Sequence, residues 1–228
     1  DVFNGANNLK KFEINTNNEL TLGNNCFYNC NSLKQIKFSS KSLLILGREC
    51  FKGLIQLEKI ELKSKVIEVG ENCFMDSYSK EINTQYFFIY ASDLKLGNNS
   101  FKNCKYLSSI SFNVLENITI NSNTFSGCIS LRKIYISSST SIFIGENCFN
   151  ESNLREAAFN CKELTIDKFC FKGCNLLSSI SFYSDIINIK IGQNAFENCQ
   201  QLEKIYISSS TSIFIGENCF NESNLREA

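Results

Sequence analysis

The stretch LTLGNNCFYNCNSLKQIKF, residues 20–38, contains every element of a unit that recurs along the whole chain. The unit reads I-x-I-G-x-N-C-F-x-x-C-x-x-L-x-x-I-x-I, with related apolar residues exchanging at the Ile and Leu positions. Alignment on its central Phe gives ten copies, spaced 22 to 27 residues apart, with a mean of about 24 that is typical of solenoids. These residues are Phe3, Phe27, Phe51, Phe74, Phe101, Phe125, Phe149, Phe171, Phe196 and Phe220.

The two ends of the unit alternate apolar and other residues with period two, which predicts two short strands per coil. The N-C-F-x-x-C-x-x-L link has three-residue spacing, which predicts a helical or 3-10 corner. A single coil cannot bury its own apolar edge, so stacked coils must supply the core, with Phe on Phe at about 4.8 Å. The sequence therefore predicts one repeat solenoid over residues 1–228, with about nine coils of ~24 residues and short parallel β-strands.

Two further columns suggest sharp turns in each coil. Gly stands four residues before the Phe in most copies, and we expect a left-handed backbone there. Asn stands two residues before the Phe, and we expect a ladder of its side-chain amides bonded to backbone groups. Glu49 and Phe169 interrupt that Asn column, so a different hydrogen-bond arrangement is expected at these two corners.

The cysteines follow the repeat as well. Eleven of the twelve lie directly before the Phe or three residues after it, and only Cys161 lies elsewhere. Other copies carry Ala, Ser or Thr at these positions, which favours small buried side chains with free thiols. Disulfides between stacked coils are the alternative, since stacked positions about 5 Å apart fall within bonding range.

The composition argues against several functions. The chain carries 23 basic and 23 acidic residues, so it has no net charge to attract nucleic acid, and it has no His to act as a general base or metal ligand. We therefore predict no metal site, no cofactor and no enzymatic activity. The longest apolar run, residues 86–91, is far shorter than the roughly 18 residues of a membrane span.

Function is expected on the outward positions of the L-x-x-I-x-I strand, which form one continuous face. Candidate partner-binding residues on this face are Lys37, Glu61, Phe87, Tyr135 and Tyr206. Tyr beside Ser suits adaptable protein recognition, although a merely solvated sheet face would look similar. Residues 133–157 and 204–228 are identical, and such duplication favours a scaffold of variable length over an enzyme with one pocket.

The unit closely resembles the BspA-like subfamily of leucine-rich repeats, in which Ile-Gly, Ala-Phe, Cys and L-x-x-I-x-I follow one another. The resemblance covers essentially the whole chain and implies a leucine-rich-repeat solenoid that serves as a surface protein in adhesion or partner binding. The chain departs from the family where Ser137 and Ser208 replace a common Pro and where Cys mostly replaces the Ala. Abundant thiols keep an intracellular structural or interaction array in the cytoplasm as the alternative.

Two expectations concern irregular parts of the array. The coil between Phe74 and Phe101 is three residues longer than the mean, so residues 77–84 are expected to bulge as a surface loop. The chain also begins and ends within a coil without polar caps, and we expect it to be an excerpt from a longer array.

Overall fold

The computed structural model describes residues 2–78, 86–183, 186–207 and 212–226, with the side chains of Tyr86 and Tyr206 outside the description. Most of the loop expected at residues 77–84 therefore lies outside the described residues. The strands are β1 (Lys11–Asn15), β2 (Leu20–Leu22), β3 (Gln35–Ser39), β4 (Leu43–Leu46), β5 (Lys59–Lys63), β6 (Val66–Val69), β7 (Tyr86–Leu96), β8 (Ser111–Ile120), β9 (Lys133–Ser137), β10 (Ser141–Ile144), β11 (Glu156–Asn160), β12 (Glu163–Ile166), β13 (Ser179–Phe182), β14 (Asn188–Ile191), β15 (Ile205–Tyr206) and β16 (Ser212–Ile215).

The strands form the two faces of a parallel solenoid, as the repeat predicts. The front face consists of β1, β3, β5, the first halves of β7 and β8, and then β9, β11, β13 and β15. The back face consists of β2, β4, β6, the second halves of β7 and β8, and then β10, β12, β14 and β16. Neighbouring coils pair equivalent residues, so that Ile36 lies beside Ile60 and Ile142 lies beside Leu164.

The front face is divided in the middle of the array. Strands β7 and β8 run through the corner from the front face to the back face, and they join both faces into one twelve-stranded sheet. On the front, β9, β11, β13 and β15 form a separate four-stranded sheet, and no strand pairing joins β8 to β9 among the described residues. The back face continues across this position, because β8 pairs with β10.

The central Phe residues form the stacked column that the sequence predicts. Consecutive ring centroids lie 4.8 to 5.5 Å apart, and the rings are inclined to one another by only 3 to 21°. Phe125 is fully buried between Phe101 at 5.5 Å and Phe149 at 5.4 Å. Burial of such rings, together with the Leu and Ile columns, replaces the core of a globular domain.

The corners are turns rather than the helical or 3-10 segments expected from their spacing. Bonds that join residues three apart do occur, as from Cys30 N to Phe27 O at 3.2 Å. In the coils from Phe27 onward the residues two before and two after the Phe have positive φ, for example Asn25 at 55° and Asn29 at 60°, and the coil of Phe74 adds Tyr78 at 96°. A left-handed residue breaks the run of right-handed φ and ψ that a helix requires, so the corner cannot propagate as one.

The Gly column has a different cause from the one expected. None of its seven glycines has positive φ, and the left-handed residues are instead those two before and two after the Phe. A Cβ on Gly70 would lie 2.7 Å from the backbone carbon of Gly47 and 2.8 Å from Arg48 N. Glycine is favoured in this column because the backbones of successive coils approach closely, although Asn121 and Asp167 occupy two of its positions.

The Asn column supplies the left-handed backbone. The coils do not share the expected ladder of Asn side-chain amides bonded to backbone groups. The rungs are backbone bonds between coils, such as Asn25 N to Arg48 O at 3.0 Å. Phe169 has a φ of 57°, and its N–H donates the same bond to Gln193 O at 3.0 Å. The expectation of a different hydrogen-bond arrangement at the interrupted corners is therefore wrong. Asn is favoured because it tolerates this conformation better than other residues with a Cβ.

All twelve cysteines are buried and free, which confirms the prediction of structural thiols. The thiols three residues after the Phe also donate hydrogen bonds to the Phe carbonyl of the preceding coil, as from Cys128 Sγ to Phe101 O at 3.2 Å. Ser77 Oγ makes the equivalent bond to Phe51 O at 2.7 Å. Cys and Ser exchange in this column because both are small and both carry a donor.

Candidate functional site

The first coils present an ion-pair ladder on the front face. Lys37 Nζ lies 2.9 Å from Glu61 Oε1, across the pairing of β3 with β5, and Lys59 Nζ lies 3.5 Å from Glu61 Oε2. The hydrogen bond with Glu61 raises the pKa of Lys37, and the same bond lowers the pKa of Glu61. Both side chains remain solvated, so the ladder orders the surface and contributes little to stability.

Phe87 was expected on this outward face, and that expectation is wrong. Its backbone pairs with Ile60 rather than with Glu61, and its side chain is only 1 % exposed. The ring packs 4.5 Å from Phe101 in the core. Phe88 takes the outward position beside Glu61, because a shift of one residue in a strand exchanges its two faces.

The later coils present an exposed aromatic pair. Tyr135 on β9 is 51 % exposed and Tyr183, directly after β13, is 49 % exposed. Their ring centroids lie 6.0 Å apart at 86°, an edge-to-face contact. Strand β11 separates the two strands, and its outward residue beside Tyr135 is the small Ala158, over which the rings can approach.

The remaining candidate, Tyr206, belongs to β15 and its backbone pairs with Ser181 of β13. Its strand therefore lies next to the one that precedes Tyr183, while its side chain lies outside the described residues. Sequence reasoning missed Tyr183, since it follows the L-x-x-I-x-I strand rather than lying within it. The period-two pattern continued by one step beyond Phe182 is the signal that could have identified it.

The buried thiols have the opposite character to catalytic nucleophiles. Burial raises the pKa of Cys161 and Cys174 to about 12 and that of Cys219 to about 11. These thiols are protonated at neutral pH, whereas a nucleophilic thiol is one with a lowered pKa. Within the described residues, no group of three or more Cys, Asp or Glu side chains is placed to hold a metal ion.

The sequence matches the profile of the BspA type leucine rich repeat region (6 copies) over residues 1–93 and 94–226. The chain belongs to this family. Members of the leucine-rich-repeat class are typically scaffolds for protein interaction. Among curated protein sequences, none matches this BspA-type chain significantly. In the described residues, no helix is long and apolar enough to cross a lipid bilayer.

Two solved structures resemble this BspA-type solenoid. A T. pallidum leucine-rich repeat protein is 17 % identical over 90 % of this chain and 87 % of that chain, with a TM-score of 0.52. A leucine-rich repeat protein from Bacteroides ovatus is 18 % identical over 96 % of this chain and 77 % of that chain, with a TM-score of 0.37. At such identity the similarity of the T. pallidum protein shows the fold alone.

Proposed function

We propose that this BspA-type solenoid is a protein-binding scaffold whose front face holds the partner, and that it serves in adhesion at a cell surface. The observation that carries the proposal is the exposed edge-to-face pair of Tyr135 and Tyr183. Tyr is enriched among the residues that dominate binding energy at interfaces. Tyr135 stands on a parallel sheet and Tyr183 directly follows one of its strands, so little conformational entropy is lost when a partner binds.

The two halves of the front face have different roles in this proposal. Around Lys37 and Glu61 the charges largely pair with one another, so this half orients the partner and selects it electrostatically. Around Tyr135 and Tyr183 the surface offers apolar area together with hydroxyl groups, and the backbone of Tyr206 lies on the neighbouring strand β15. Phe87 takes no part, because it is buried, and Phe88 replaces it at the outward position.

Site-specific photocrosslinking tests which face contacts the partner. A benzoylphenylalanine group is introduced at Tyr135 on the front and, as the matched control, at Thr165 on the back strand β12. Cells that produce the protein are irradiated, and crosslinked proteins are identified by mass spectrometry. Crosslinks formed from Tyr135 and not from Thr165 support the proposal, and equal crosslinking from both positions contradicts it.

Binding and attachment assays then test the aromatic pair. We expect the Tyr135→Ser/Tyr183→Ser variant to bind the crosslinked partner at least about 30-fold more weakly, since hot-spot residues contribute about 2 kcal/mol or more. Tyr28→Ser/Tyr106→Ser is the matched control, because these tyrosines are 37 % and 39 % exposed and lie in the corners. Beads coated with each variant should attach to cell monolayers in the same order if adhesion is the role.

The twelve buried thiols favour a second candidate function, an interaction array inside the cell. Secreted proteins rarely retain many unpaired cysteines, whereas cytosolic proteins keep them reduced. Fractionation of producing cells, with detection of the native protein by antibody, separates the two candidates. Surface-exposed protein supports adhesion, and protein confined to the cytosolic fraction supports the intracellular array.

A further inference from the structure

A groove of about 620 Å³ runs along the edge where the front strands of the first five coils end. Its charged lining residues are Lys41, Lys63 and Lys65, and its apolar end is formed by Tyr90 and Leu115. All other lining residues are Ser, Thr, Asn and one Ala, so no carboxylate lines it. We call this feature the basic groove, and it is separate from the pair formed by Tyr135 and Tyr183.

The three lysines of the basic groove are exposed, and none of them forms an ion pair within the part of the chain that the structure describes. Lys63 belongs to β5, and the carboxylate on that strand, that of Glu61, is already held by Lys37 and Lys59. The whole chain is neutral, so this is a local concentration of uncompensated positive charge. Such a site attracts an anionic ligand over about one Debye length, 8–10 Å.

The apolar end indicates which anionic ligand fits. Tyr90 is 39 % exposed and Leu115 is 63 % exposed. A sugar ring could stack on Tyr90, but an exposed aliphatic side chain such as Leu115 is matched by an apolar amino-acid side chain. The hydroxyl and amide groups along the remaining lining are suited to the backbone groups of an extended peptide.

One hydroxyl of the lining has unused hydrogen-bonding capacity. Ser64 is 6 % exposed, and its buried Oγ has no partner. At the equivalent position one coil earlier, Ser40 Oγ donates to Asn18 O at 2.8 Å and lies 3.0 Å from Leu43 O. A rotation of the Ser64 side chain would offer its hydroxyl to a ligand carboxylate in the groove.

We propose that the basic groove binds an extended acidic peptide segment that carries an apolar residue at one end. The groove crosses five coils, four steps of about 4.8 Å, and its length of ~19 Å accommodates about six residues of extended chain. Acidic side chains pair with Lys41, Lys63 and Lys65, and the apolar residue packs against Tyr90 and Leu115. This site lies beyond the front-face function proposed above and does not depend on it.

Fluorescence polarisation with a labelled synthetic peptide tests the proposal. The probe is a peptide of about six residues, alternating Glu and Asp followed by Leu and Phe, used together with its reversed sequence. The groove variant is Lys41→Gln/Lys63→Gln/Lys65→Gln. The charge-matched control is Lys95→Gln/Lys105→Gln/Lys162→Gln, which removes three exposed lysines outside the groove and its lining.

We expect the wild type to bind at least one orientation of the probe, with affinity that falls as salt is raised. The groove variant should bind about tenfold more weakly, the sum of three weak ion pairs, while the control variant binds as the wild type does. Leu115→Ser should weaken binding of this probe and leave unchanged the binding of a probe that ends in two Ser residues. Thermal melts of all variants check that each is folded.

Two results would overturn the proposal: no measurable binding of either probe, or an equal loss in the groove and control variants. Binding of a sulfated oligosaccharide that depends on the three lysines, without peptide binding, would assign the groove to an anionic glycan instead. The Tyr135→Ser/Tyr183→Ser variant should bind the peptide normally. Failure of the front-face function and failure of the groove proposal therefore give different results.

Discussion

Raising the pH should destabilise this protein through its buried thiols, and Cys128 allows the effect to be isolated. Burial raises the pKa of Cys128 from its ordinary value of 9.0 to about 12. Because the pKa is higher in the folded state, folding favours the protonated thiol. The resulting stabilisation is fully present below pH 9 and is lost as the pH rises towards 12.

The magnitude follows from the two pKa values. At a pH of about 9.5 the unfolded chain has released most of the Cys128 proton, and the folded chain still holds it. At this pH, about half a pH unit above the pKa of the unfolded state, Cys128 loses about 0.8 kcal/mol of its contribution to stability. At a pH of about 8 the loss is close to zero by the same reasoning.

Urea unfolding in the presence of a reductant measures this loss as a double difference. The variant Cys128→Ala is less stable than the wild type near pH 8, and we expect this gap to shrink by about 0.8 kcal/mol near pH 9.5. Titration of the groups that do not interact with Cys128 is common to both proteins and cancels. Leu131→Val, a change at a fully buried residue three positions away, is the control whose gap stays constant. A gap for Cys128→Ala that is also independent of pH would refute the reasoning.

Three further predictions concern the repeated columns, and urea or thermal unfolding checks each. Phe125→Ala should lower the free energy of unfolding by about 3–5 kcal/mol, because the ring is fully buried in its stack. Phe214→Ala, at a residue that is 58 % exposed, should lower it by less than about 1 kcal/mol. Equal losses would contradict the stacked core. Gly70→Ala should lower the free energy of unfolding by about 2 kcal/mol or more, because the new Cβ would lie 2.7 Å from backbone atoms of the preceding coil. Gly23→Ala, where no atom lies within 4 Å of the new Cβ, should leave the stability nearly unchanged. Asn147 has a φ of 55°, so Asn147→Ala should lower the free energy of unfolding by about 1 kcal/mol, whereas Asn147→Gly should not destabilise the protein. Similar losses for both variants would argue against a need for left-handed backbone at this residue.

Much of this fold could be predicted because the same sequence pattern recurs in every coil. The column of Phe residues that includes Phe125 predicts a stack of rings, and the exchange of Cys with Ser and Ala between coils predicts buried free thiols. The corners were less predictable, because Gly and Asn both tolerate positive φ and stand two residues apart. Local sequence does not say which of the two is left-handed and which is merely small, since that depends on the approach of the next coil.

The candidate site was predicted least well where the spacing is irregular. Phe87 was aligned with Glu61 across the coil that is three residues longer than the mean, and the pairing of that coil places Phe88 there instead. An inserted segment can be compensated at several positions, and each choice exchanges the inward and outward residues of the strand. The period of the sequence alone cannot select among these choices.

The sequence by itself determined the coil: its length, its two strands, its Phe stack and the parallel order of its copies. Each of these follows from burying one apolar edge against an identical neighbour. Only the tertiary structure decided that Tyr183 meets Tyr135 across strand β11, and that Lys41 and Lys63 line one groove with Leu115. Those neighbours come from different coils, and their contact depends on strand register, side-chain direction and the size of the residue between them, which no single repeat contains.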